Sequence, residues 1–179
     1  MLAPPAGAQT NWPSFRGPHA SGAAIGTTPT SWNTEKSENI LWKTPIVGLG
    51  HSSPIIWGDR LFVTTAVNQS KTAPLKVGLY GEPESAEDNE VQQWRVLCLD
   101  KRTGKVLWEK TAFEGAPKVR RHPKATHANC TMASDGNCVV AFFGSEGLSC
   151  YDLDGHLRWQ KDLGILRASP TVYNDAPDP

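Results

Sequence analysis

Three basic or titratable side chains, His51, His127 and Arg167, open three similar runs of this chain: H-S-S-P-I-I, H-A-N-C-T-M and R-A-S-P-T-V-Y. Each is followed by a small residue, Ser52, Ala128 or Ala168. Placed at one position of a repeat, they would converge on a common rim, where imidazole and guanidinium groups can hold a ligand carboxylate or phosphate. Asn129 stands two residues beyond His127 and adds an amide to the set. Polar groups at such a rim also serve simply to meet solvent, and that plainer role competes with ligand binding. The candidate ligand-binding residues are therefore His51, His127, Asn129 and Arg167; no catalytic residue is assigned.

The four cysteines, Cys98, Cys130, Cys138 and Cys150, have no C-x-x-C spacing and no paired histidines, so no metal site is expected. With Asp135 and Gly136 as the two central residues of a hairpin, Cys138 faces Ala133 and Cys130 faces Ala141. The two sulfurs then lie on opposite sides of a sheet, and a disulfide would need a different turn. Cys98 and Cys150 fall inside apolar strands, where cysteine acts as a small buried residue.

The elements that must position these groups belong to a repeat. V-L-C-L-D-K-R-T-G-K-V-L-W-E-K, from Val96 to Lys110, reads as an apolar strand, a turn on Asp100 and Gly104, and a strand ending on Trp108. L-S-C-Y-D-L-D-G-H-L-R-W-Q-K, from Leu148 to Lys161, keeps Cys150, Asp152, Gly155 and Trp159 in the same order. Asp100 can accept hydrogen bonds from amides two and three residues on, Thr103 can add its hydroxyl, and Gly104 can take positive φ. In V-L-C-L both alternating faces are apolar, which marks a strand buried on both sides. In the next strand Val106 and Trp108 share one face, while Lys105, Leu107 and Glu109 share the other, as at a more exposed edge.

Read in order, residues 1–11 are a disordered start in which Ala6-Gly7-Ala8 resembles the end of a signal peptide. Residues 12–38 are an N-terminal arm opened by W-P-S-F-R-G-P, and 39–44, with Trp42, are the outer strand of a closing blade. Residues 45–110 form blade 1, with S-S-P-I-I-W-G-D-R-L-F-V-T-T as its hairpin and an insert at 68–92. Residues 111–161 form blade 2, entered by a basic linker, Lys118 to Lys124, that reads as a solvated loop. Residues 162–179 start a third blade that stops partway. Trp42, Trp108 and Trp159 each close a four-stranded meander at a spacing that fits a β-propeller blade once the insert is removed. The fold class is all-β, a propeller of four-stranded antiparallel blades.

Cys98, Asp100, Thr103, Gly104 and Trp108 resemble the tryptophan-docking pattern A-x-D-x-x-T-G-x-x-x-W of the pyrroloquinoline-quinone (PQQ) type propeller repeat, with Cys in place of Ala. The second copy also carries Cys, at position 150, and lacks the Thr. The arm and the T-H-A-N and A-F-F-G-S-E-G-L blocks are similar to exported bacterial PQQ-like propellers. The resemblance implies about seven or eight blades and a periplasmic or otherwise extracytoplasmic protein, of which this chain would be the N-terminal portion. It implies a non-catalytic scaffold that binds other proteins or a small anionic ligand, similar in architecture to the propeller lipoprotein of the outer-membrane β-barrel assembly machinery, although no lipobox cysteine stands near the start. The alternative is part of a PQQ- and calcium-dependent alcohol or sugar dehydrogenase. No cofactor is evident, there is no adjacent Cys-Cys pair, and PQQ with calcium would depend on residues in other blades.

Charge narrows the partners further. Eighteen basic and eighteen acidic side chains give a formal net charge of +0, which removes the general electrostatic pull toward nucleic acid. No apolar run reaches the ~18 residues of a membrane-spanning helix.

Overall fold

The W-G-D-R signal makes a tight hairpin. In the computed structural model, which describes residues 11–69, 86 and 89–166, β1 (Ile55–Trp57) pairs with β2 (Arg60–Asn68) so that Trp57 faces Arg60 across the Gly58-Asp59 loop. β3 (Gln92–Asp100) and β4 (Val106–Gly115) continue the antiparallel meander in the order β1-β2-β3-β4. A second sheet repeats it with β5 (Ala133–Ser134), β6 (Cys138–Phe142), β7 (Leu148–Asp152) and β8 (Leu157–Lys161). These are two four-stranded blades of an all-β protein. Most of the insert, the whole of 1–10 and residues 167–179, including Arg167, lie outside the described residues.

The blades stack because one cross-strand row of each is apolar. Ile55, Phe62, Cys98 and Trp108 lie opposite one another across β1 to β4. This row packs in one core with Val139, Ala141, Phe143 and Tyr151 of the second blade. Val96, Leu97, Cys98 and Leu99 are all buried, so the V-L-C-L strand is covered on both faces. Burial pushes the Cys98 thiol up to about 12. It does the same for Cys150, where a hydrogen bond from its S–H to Cys138 adds to the effect. Both remain neutral thiols that fill space, and all four cysteines are free.

The expected alternation in β4 is corrected by a bulge. Leu99 pairs with Val106 and Cys98 with Trp108, which leaves Leu107 as an extra residue. Val106 and Trp108 therefore do not share a face: Trp108 joins the row of Cys98, and its ring centroid comes within 5.9 Å of that of Phe62. β8 carries the same irregularity, Cys150 pairing with Trp159 and Tyr151 with Leu157, with Arg158 left over. A bulge thus stands directly before the tryptophan in both copies, and in the first it aims the indole toward the next blade.

Each indole then meets a turn. The Trp108 Nε1–H donates to the Leu153 carbonyl at 3.0 Å, and its ring lies over Gly155, whose φ is +86°. Arg60 donates to the same carbonyl and pairs with Asp154 at 2.7 Å. Trp42 repeats the arrangement one blade earlier: Nε1–H donates to the Lys101 carbonyl at 2.9 Å, with the ring over Gly104. Residues 39–44 pair with no strand among the described residues; Trp42 and the Thr44 hydroxyl, which donates to the Gly104 carbonyl at 2.7 Å, fix this segment to the turn. Trp159, the third in the series, is 41% exposed.

The turns are held by aspartates. Asp100 accepts from the Thr103 hydroxyl at 2.9 Å and from the amides of Thr103 and Arg102 at 2.8 and 3.0 Å. Asp152 accepts from the amides of His156 and Asp154 at 2.9 and 3.0 Å. Asp135 accepts from the amides of Cys138 and Asn137 at 3.0 and 2.8 Å, and this reach leaves residues 135–138 between the paired Ser134 and Val139. Ala133 faces Val140 and Ser134 faces Val139, correcting the expected two-residue turn and the register of Cys138 drawn from it.

These bonds hold the carboxyls below the usual aspartate range: Asp100 chiefly through the Thr103 hydroxyl, Asp135 through the Cys138 amide and Asp152 through the His156 amide. A depressed folded-state pKa contributes stability above the unfolded value, near 3.9, that is lost as pH falls through the folded values. The urea midpoint is therefore expected to fall below about pH 4. The acid slope should shrink in Asp100→Asn and Asp152→Asn; slopes equal to that of the parent chain would remove these turns from the acid response.

The arm binds along the inner edge of the blades. Trp12 and Ile56 exchange both backbone hydrogen bonds, at 2.8 and 2.9 Å, on the side of β1 away from β2. Ser134 of β5 donates to the Pro13 carbonyl at 2.9 Å, so the arm ties the first strands of both blades.

Candidate functional site

Two strand starts meet at the far end of the inner strands from the Gly58 turn. The Ala128 carbonyl accepts from the amides of His51 and Ser52 at 3.0 and 3.2 Å, and the Ser53 amide donates to the Thr131 hydroxyl at 3.0 Å. The backbones carrying His51, His127 and Asn129 are thereby brought together. Their side chains differ in setting: His51 and Asn129 are exposed, whereas His127 is half-buried with its ring edge-on to Trp94, centroids 5.8 Å apart. The Trp94 Nε1–H donates to the His127 carbonyl at 3.1 Å and fixes this corner to blade 1. The fourth candidate, Arg167, lies outside the described residues.

Beside this corner is a cavity of about 220 Å³ between residues 119–130 and the β6–β7 connection. His127 and Asn129 line it together with Arg120, Arg121, His122 and Glu146. The basic linker is therefore a packed wall, not a solvated loop. Its Arg121 is buried because the guanidinium Nη1 donates to the Pro123 and Ala125 carbonyls at 3.3 and 2.9 Å, which replaces water for an otherwise costly charge. His122 Nδ1 accepts from the Lys124 amide at 3.1 Å, which places the proton of the neutral ring on Nε2.

Asn129 is oriented from behind. Its Oδ1 accepts from the Thr126 amide at 2.9 Å and hydroxyl at 2.8 Å, and only an oxygen can accept from a backbone N–H. On the other wall a single 3₁₀ turn, Gly144–Glu146, places Glu146 at 6% exposure with one oxygen accepting from the Lys118 amide at 2.9 Å. Glu146 was not among the residues singled out from the sequence. Its one signal is an acid set between small residues in A-F-F-G-S-E-G, directly after an apolar strand.

One carboxylate in a wall that also holds two arginines is a poor seat for calcium, which wants several oxygen ligands. Among the described residues no group of three or more His, Cys, Asp or Glu side chains is gathered for a metal. This cavity does not fit a calcium-held quinone.

No helix among the described residues is long and apolar enough to cross a membrane. A protein-family model described as outer membrane protein assembly factor BamB matches residues 23–172. No curated protein matches the chain.

Proposed function

We propose, from the premise that this chain belongs to the outer membrane protein assembly factor BamB family of PQQ-like β-propellers, that it is a non-catalytic, extracytoplasmic scaffold for protein binding. The observation that carries this reading is a series of large apolar side chains displayed on the N-terminal arm. Phe15, Ile25 and Trp32 are 60%, 76% and 67% exposed. Aromatic and aliphatic anchors of this kind supply most of the energy of protein interfaces. Their base is held by the Trp12–Ile56 pairing and by Trp42 on the Gly104 turn, which lowers the ordering cost of binding.

A photoreactive amino acid in place of Trp32, in cells that make the full protein, tests the reading. The expected product is a crosslink to a second polypeptide in the cell-envelope fraction, absent when the same group replaces exposed Ser21. Crosslinks only within the chain would overturn it.

A further inference from the structure

The geometry points to a second function that does not depend on the arm: the cavity beside His127 binds a sugar monocarboxylate of the uronic-acid type. Three observations define the ligand. First, Arg120 lines the cavity half-buried and makes no ion pair or hydrogen bond among the described residues. The side-chain Nδ2 of Asn129, turned away from Thr126 by the two bonds to Oδ1, is likewise unengaged among the described residues. A guanidinium and an oriented amide donor in one cavity suit a carboxylate.

Second, Glu146 is buried, and only one of its oxygens meets a donor among the described residues. A buried carboxylate oxygen without a donor is costly, and a ligand hydroxyl would satisfy it. The same carboxylate argues against phosphate. Arg120 offers one guanidinium without an acceptor among the described residues, in a cavity that Glu146 also lines. That suits a monoanion better than a phosphate ester of about −1.5 to −2 charges.

Third, Val119, Phe142 and Phe143 give the cavity an apolar side, suited to the C–H face of a sugar ring. Its volume of about 220 Å³ is on the scale of one sugar ring.

Calorimetric titration of the full chain with D-glucuronate and D-galacturonate is the test. Saturable binding of at least one is expected, with glucose and inorganic phosphate weaker by about tenfold or more, the worth of one charge-assisted hydrogen-bonded pair. Arg120→Gln should weaken the uronate by a similar factor. Asn129→Asp, which keeps an oxygen for Thr126 but replaces the Nδ2 donor, should weaken it severalfold with a melting temperature close to the parent's, and Glu146→Gln should bring glucuronate and a deoxy analogue closer in affinity. No saturable binding of either uronate overturns the assignment. So does phosphate binding as tightly as the uronate, or an Arg120→Gln chain that folds and binds as the parent does.

Discussion

Trp108→Ala is expected to lower the unfolding free energy of the full chain by about 3 to 5 kcal/mol, the largest effect of any single truncation in the blade interface. The indole touches both units at once. Its ring lies between Phe62 of its own blade and Tyr151 of the next, with centroids 5.9 and 6.1 Å away. Its N–H is one of two donors to the Leu153 carbonyl, beside Arg60. Truncation therefore removes apolar area, opens a cavity against Gly155 and leaves the seam with one donor fewer. Trp108→Phe should recover the packing but not the hydrogen bond, and so cost about 1 to 2 kcal/mol. Urea melts give both values. A loss below about 1 kcal/mol for the alanine variant would mean that the seam is held elsewhere.

The docking series also explains which parts of the fold were legible in the residues. V-L-C-L announces burial on both faces because no polar side chain interrupts either alternation, and its four residues are buried. The D-x-x-T-G turn is readable because each residue satisfies a local need, and Asp100, Thr103 and Gly104 make the bonds that such a turn requires. The bulge at Leu107 has no such mark. It is forced by the demand that Trp108 face the next blade, and that demand comes from another sheet.

Strand lengths follow the same division. β4 runs to Gly115, five residues past Lys110, because Trp94 and Phe113 find each other across the sheet. The candidate site was legible in part for a similar reason. His51 and His127 align within the repeat and their backbones meet. Glu146 and Arg120 come from segments that are unlike in sequence and become neighbours only when the β6–β7 connection folds against the linker. The linker looked solvated because its charges are many. Arg121 is nonetheless buried, since two carbonyls of its own loop replace the water it loses.

Gly155→Ala should be the second most damaging change, costing about 2 to 5 kcal/mol, and its origin can be separated by a double-mutant cycle. Two costs add. With φ at +86° the residue sits where a side chain is disfavoured, worth about 1 to 2 kcal/mol. An added Cβ would also lie 2.8 Å from Cδ2 of Trp108, closer than carbon atoms approach, so the ring or the turn must shift. Overpacking of this kind costs a further ~1 to 3 kcal/mol. The ring cannot slide away freely, because its N–H is held by Leu153, two residues before this glycine.

In a Trp108→Ala background the steric cost disappears while the backbone cost remains. Gly155→Ala should then cost only about 1 to 2 kcal/mol, a coupling of roughly 1 to 3 kcal/mol between the two positions. Strictly additive losses would show that the glycine is required for its backbone angle alone and that the indole does not rest on it. The same cycle at Trp42 and Gly104 gives an independent reading. There the added Cβ would come within 2.4 Å of the ring. The coupling should therefore be at least as large as at Trp108 and Gly155.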